Sequence, residues 1–238
     1  FAAKILRPKQ PDNLSSEKTA SLNAVQTAAV DVADWNEIAI HADELWAQAI
    51  TGQATSVAIV DTGVDMLHQD LGPRYRGGSN SWFDPNGEHA TPHDADGHGT
   101  QVTGIVVGVA PGTQWMAAKI FNDAGVASMS AIHAAYQWLL DPDNNPVTDD
   151  APDVINSSWS LDVANICDST FQADFQVLKA AGIELVFSAG NFGPLSNTSS
   201  SPANLPETVA VGSVDQALNI SSFSSRGPSA CNASIFPQ

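Results

Sequence analysis

Three polar residues stand where a side chain can do chemistry. Asp61 ends the apolar run Val57-Ala58-Ile59-Val60, His98 lies between glycines in Asp96-Gly97-His98-Gly99-Thr100, and Asn191 follows Val186-Phe187-Ser188-Ala189-Gly190. A carboxylate beside an imidazole fixes the ring's tautomer, so that the other nitrogen can take a proton as a general base. A side-chain amide can donate to a developing oxyanion. Glycines on either side of the imidazole permit close approach of backbone and substrate. Two other chemistries use the same residues. Asp61-Thr62-Gly63 could be half of a pair of carboxylates sharing a proton, but that needs a second such loop, and none is present. His93, Asp94, Asp96 and His98 could be metal ligands on one loop; the glycine-flanked His98 is better used as a base.

The pattern around these residues predicts elements able to hold them. Apolar, β-branched runs at 56–60, 115–121, 153–157, 184–188 and 208–214 read as buried strands. Helix-like stretches at 99–107, 128–140 and 169–181 lie between them, and a shorter helix runs from about 37 to 46. Strands alternating with helices predict an α/β fold, a doubly wound and mostly parallel sheet covered on both faces. Ligands of such sheets bind beyond the carboxyl ends of the strands, where Asp61, Asn191 and Ser158-Trp159-Ser160 all fall. Residues 1–33 read as a tail or the remnant of a pro-segment, and 34–238 as one domain.

Seven segments keep a fixed order: Val60-Asp61-Thr62-Gly63-Val64-Asp65, His98-Gly99-Thr100, Val109-Ala110-Pro111-Gly112, Asn156-Ser157-Ser158-Trp159, Ser188-Ala189-Gly190-Asn191, Ser201-Pro202-Ala203-Asn204 and Phe223-Ser224-Ser225-Arg226-Gly227-Pro228. In these the chain resembles the subtilisin-like serine peptidases, and most of all their bacillopeptidase F-like members. The resemblance implies Asp61 as orienter, His98 as base and Asn191 as oxyanion donor. It also implies a peptide-binding rim from Ser158, Trp159, Ser160, Gly125, Ser188, Ala189 and Gly190, with the substrate added as a strand. Ser160 stands where the family usually has Gly, and Gln101 where it has a second His. Asp70 matches a position that helps to bind calcium in some relatives, so structural calcium is expected there, and no cofactor is required for the chemistry.

The family pattern also needs Gly-Thr-Ser-x-Ala at the start of a buried helix to present the nucleophile, and no Gly-Thr-Ser occurs in these 238 residues. The expectation is a subtilisin-like fold that is incomplete in this chain, lacking its C-terminal third. A complementing C-terminal peptidase fragment, or an omitted segment, would then carry the serine. A non-catalytic binding or regulatory fragment is the alternative.

Composition bounds the partners. With 26 Asp plus Glu against 9 Lys plus Arg, the formal charge is −17, which repels nucleic-acid backbones and anionic membranes and leaves protein or peptide as substrate. No apolar run approaches the ~20 residues of a membrane helix, and a secreted, extracellular protein is expected. Cys167 and Cys231, an even count, are expected to pair as a disulfide, two reduced buried thiols being the alternative. Asn-x-Ser/Thr triplets begin at Asn13, Asn156, Asn197, Asn219 and Asn232.

Overall fold

The computed structural model describes residues 33–237, and the tail assigned to 1–33 lies almost wholly outside them. Six strands form one sheet: β1 Ser56–Asp61, β2 Trp82–Phe83, β3 Gln114–Lys119, β4 Val154–Ser157, β5 Glu184–Ser188 and β6 Val209–Val211. All pair in parallel, in the order β2-β3-β1-β4-β5-β6. The chain leaves β1 toward β3 on one side and then returns to β4, β5 and β6 on the other. That places the topological switch point of the sheet at β1, the strand that ends in Asp61.

Period-two alternation along the strands decides which face each side chain covers. Ala58, Val60, Met116, Ala118, Ile155, Leu185 and Phe187 belong to one buried cluster, which also takes Ile132, Tyr136 and Leu139 of α4 (Met129–Leu140) and Phe175 and Leu178 of α5 (Gln172–Ala180). Val57, Ile59, Trp115 and Ala117 point the other way and pack on Val102 and Val106 of α3 (His98–Val109). Helices therefore cover both faces, as the unbroken apolar runs require. Ser128 caps α4 by accepting from Ala131 N at 3.1 Å.

The first helical stretch is two short helices, α1 Trp35–Ala39 and α2 Ala42–Trp46, because His41 between them adopts a left-handed conformation (φ 59°). Asp34 and Glu37 close a reciprocal capping box on α1.

Cys167 and Cys231 form a disulfide across 64 residues, tying the loop after β4 to the segment that follows β6. Closing a loop of this length stabilises by about 4 kcal/mol on the chain-entropy account. Urea unfolding of a Cys167→Ser, Cys231→Ser double variant should show most of that loss; midpoints that coincide with wild type would exclude it.

Candidate active site

The parallel registers put the carboxyl ends of the central strands at one height. Ile59 pairs with Asn156 and Asn156 with Val186, so two residues further on Asp61, Ser158 and Ser188 come level. Asp61 is buried, and its Oδ1 accepts from its neighbour's backbone, Thr62 N, at 2.7 Å. The same oxygen lies 2.7 Å from His98 Nδ1. The imidazole remains partly exposed, with 21% of its side-chain surface accessible against 1% for Asp61. One carboxylate oxygen thus holds one nitrogen of a ring that remains partly open to solvent.

His98 reaches this place because the loop before it is stapled to the helix it begins. Gly97 at the N-cap of α3 has φ 94°, a conformation that costs glycine little. Asp94 Oδ1 accepts from Gly97 N at 2.9 Å, Asp96 N at 3.1 Å and Thr62 Oγ1 at 3.0 Å. Its Oδ2 accepts from Thr100 N at 3.0 Å and Thr100 Oγ1 at 2.6 Å. Burial opposes the charge of Asp94, but these hydrogen bonds outweigh it and hold the carboxyl below its ordinary range. Thr62 Oγ1 in turn accepts from Gly99 N at 2.9 Å. A Cβ on Gly99 would collide with the Gly63 carbonyl oxygen, so the helix start and the turn after β1 can approach this closely only without one.

Asp94 is therefore consumed as a positioning group. His93, Asp94, Asp96 and His98 do not gather as a group of metal ligands, the reading that the sequence already set second. Sequence reasoning gave Asp94 only as a candidate metal ligand, quoted Thr62 without a role of its own, and missed Lys119. The available signal for Asp94 was an acidic residue preceding a glycine-broken helix start, where several backbone amides need an acceptor. Lys119 is buried opposite Asp61 on β3 and donates to the carbonyls of Thr62 (3.0 Å) and Phe121 (2.7 Å).

Residues 52–238 match the family described as subtilase, peptidase S8. The chain belongs to the subtilase family. It is 33% identical to bacillopeptidase F of Bacillus subtilis (strain 168) over 257 residues, covering 95% of this chain and 18% of that protein. Subtilisin DY of Bacillus licheniformis is 34% identical over 199 residues, covering 79% of this chain and 66% of that protein. For subtilisin E of Bacillus subtilis (strain 168) the identity is 34%, covering 79% of this chain and 48% of that protein. The chain thus spans less than two thirds of each of these relatives.

Within this subtilase chain, Asn191 is exposed one residue beyond Gly190 (φ 100°), and its side chain has no hydrogen-bond partner among the described residues. Ser225 holds the turn: its N donates to Gly190 O at 3.0 Å and its Oγ accepts from Phe192 N at 3.1 Å. Ala189 is buried, donating its N–H to Val211 O at 2.9 Å and accepting from Ser200 Oγ at 2.9 Å. Ser188 ends β5. Ser158 and Ser160 are half-buried just beyond β4. Trp159 between them is buried edge-on against Phe171 and Phe187, so its side chain belongs to the core rather than to the surface. Gly125 (φ 73°) closes a turn across the site, donating to Asn122 O at 2.8 Å.

Asp70 lies apart from these residues, exposed on the turn after β1, with His68 Nδ1 3.9 Å from its carboxylate. Calcium takes six to eight oxygens. Among the described residues no group of three ligating side chains forms around Asp70.

Burial disfavours the charged form of His98, but the Asp61 hydrogen bond and the charges of Asp61, Asp96 and Asp94 together outweigh it and raise its pKa above 6.5. A raised pKa means that the protonated ring stabilises the folded chain fully below about pH 6.5, and that this contribution is lost as pH rises through the folded value. A ring serving as a base would act in the opposite range, once deprotonated. NMR titration of its ring should give a midpoint above 6.5, falling in Asp61→Asn. Equal midpoints in the two proteins would rule out Asp61 as the cause.

Proposed function

We propose that this chain supplies the orienting carboxylate, the general base and the oxyanion donor of a serine endopeptidase, and that the nucleophilic serine lies on a complementing C-terminal polypeptide or on further sequence of the same protein. The observation that carries the reading is the 2.7 Å contact between buried Asp61 Oδ1 and His98 Nδ1 at the switch point of the sheet. In the reaction the serine Oγ attacks the scissile carbonyl carbon as His98 takes its proton. The Asn191 amide stabilises the tetrahedral oxyanion. Collapse breaks the C–N bond, the leaving amine receives the proton from His98, and water hydrolyses the acyl-enzyme by the same route.

Two features support a second contributor to the domain. No Gly-Thr-Ser is present in the 238 residues. Strand β6 has only three residues and stands at the sheet edge, and Val211 on it and Val214, Ile220 and Phe223 in the segment that follows each expose 40 to 59% of their surface. An apolar edge of this kind calls for cover. The substrate is a protein or peptide lying along Ser158–Ser160 and 122–126, and the charge of −17 disfavours nucleic acid and membranes. The chemistry needs no cofactor. Secretion is supported by the disulfide, which persists in oxidising surroundings.

An active-site fluorophosphonate tests the assignment on protein from its natural source. A label on a co-purifying polypeptide, or on a C-terminal extension of this chain, lost in His98→Ala, is the expected result. An unlabelled, homogeneous 24.9 kDa species would leave the chain as a binding or regulatory subtilase fragment.

A further inference from the structure

Close to the Asp61–His98 pair, two loops gather three ligating side chains that peptide hydrolysis does not use. The loop after β2 carries His89 and His93, the loop after β3 carries Asp123, and one ligand atom from each lies within 4.8 Å of the other two. His89 Nε2 is 2.9 Å from Asp123 Oδ2, and the two imidazoles stack with centroids 3.9 Å apart. We propose that His89, His93 and Asp123 bind a divalent transition-metal ion of the zinc class, which clamps the 84–94 loop to the 122–126 rim.

Two imidazoles and a carboxylate form a donor set suited to zinc, whereas calcium and magnesium favour all-oxygen surroundings. Zinc holds such donors at about 2.0–2.2 Å, so pairs of them on one tetrahedral ion stand roughly 3.5 Å apart. His93 is exposed and can turn its ring out of the stack with His89 so that a nitrogen faces the ion, and Asp123, also exposed, can close the remaining ångström. An ordinary His89–Asp123 ion pair would engage only two of the three groups.

The backbone beneath the site is already fixed. Asp84 accepts from the amides of Asn86 (2.9 Å), Glu88 (2.9 Å) and His89 (2.8 Å). Trp82 Nε1 donates to His89 O at 2.9 Å. His93 precedes Asp94, with its five hydrogen bonds. Across the gap, Asp123 N donates to Glu88 Oε2 at 2.8 Å, and buried Lys119 Nζ lies 3.1 Å from Asp123 Oδ1. Lys119 thereby holds one oxygen of the carboxylate and leaves Oδ2 directed at the histidines, the arrangement of an outer partner orienting a metal ligand. The carboxylates of Asp84, Glu88 and Asp123 outnumber that single ammonium, which favours a cation.

Metal at this point would tie down one edge of the peptide-binding rim. That consequence rests on the proposed function, whereas the site itself does not, and its test reads bound metal rather than turnover. Metal-stripped, tag-free protein titrated with zinc chloride by calorimetry near pH 7.5 should bind one equivalent, and cobalt(II) in its place should give visible absorption bands. His93→Ala and Asp123→Asn should each weaken zinc binding at least about a hundredfold and abolish the cobalt bands, since loss of an outer partner alone costs 10–100-fold. Asp143→Ala, in the separate acidic group of Asp141, Asp143 and Asp150, should leave both unchanged. Circular dichroism checks that each variant is folded. Absence of saturable zinc binding to the wild type, or binding of equal strength in folded His93→Ala, would overturn the proposal.

Discussion

His98→Ala should lower kcat of the assembled peptidase by about 10^6-fold and Asp61→Ala by about 10^4-fold, the magnitudes found on removing the corresponding groups from a subtilisin, a relative of this chain. The inequality follows from geometry. In the proposed mechanism His98 is the group that accepts the serine proton, so its loss would remove the base altogether. In the same proposal Asp61 acts through the ring: its Oδ1, 2.7 Å from Nδ1, would select the tautomer and stabilise the imidazolium. Without Asp61 the ring remains, held by the α3 start and by Asp94's grip on Gly97 and Thr100, but in the wrong tautomer for part of the time. The double variant should be no slower than His98→Ala, because a group that works only through another adds nothing once the other is gone. Initial rates on a chromogenic peptide measure this. Retention of activity in His98→Ala, or a further fall in the double variant, would break the assignment.

Where the apolar runs are long, the sequence already contains the fold. The expected strands at 56–60 and 184–188 match Ser56–Asp61 and Glu184–Ser188 to within a residue, since runs buried on both faces tolerate no polar interruption. The run at 208–214 shortens to Val209–Val211: beyond it Gly212 breaks the run, and Ser213 N turns to donate to Ser224 Oγ. The run at 115–121 starts one residue early and stops at Lys119. Strand β2 was not legible at all, because alternation has no meaning over the two residues Trp82-Phe83. The Asp61–His98 contact could be read because a polar residue ending an apolar run, and a histidine between glycines, both contradict their surroundings. Asp94 was legible only as a candidate ligand and not in its bracing role, because the backbone amides it satisfies become neighbours only when the loop folds. Trp159 shows the converse: a residue in a binding segment whose side chain belongs to the aromatic core.

Asn191→Leu, which keeps the bulk of the side chain and removes its amide, should lower kcat by about 10²–10³-fold, or roughly 2.7–4 kcal/mol of barrier, with little change in KM. The split between the two constants is the decisive part. A planar carbonyl oxygen and the oxyanion it becomes occupy different positions and carry different charge, so a donor set for the second stabilises the transition state and not the bound substrate. Asn191 is suited to wait for such a charge: it is exposed, unpaired among the described residues, and set on a turn that Ser225 and Ser200 hold from behind. Gly190, with φ 100°, lets the turn point outward; a Cβ there would run into Ser200 Oγ. Because the amide makes no internal hydrogen bond, its removal should leave the urea midpoint within about 0.5 kcal/mol of wild type, the range for surface substitutions. A KM increase with kcat unchanged would instead mean that Asn191 grips the substrate uniformly in ground and transition states, and the oxyanion role would be lost. A fall in stability matching the fall in rate would make Asn191 a turn residue.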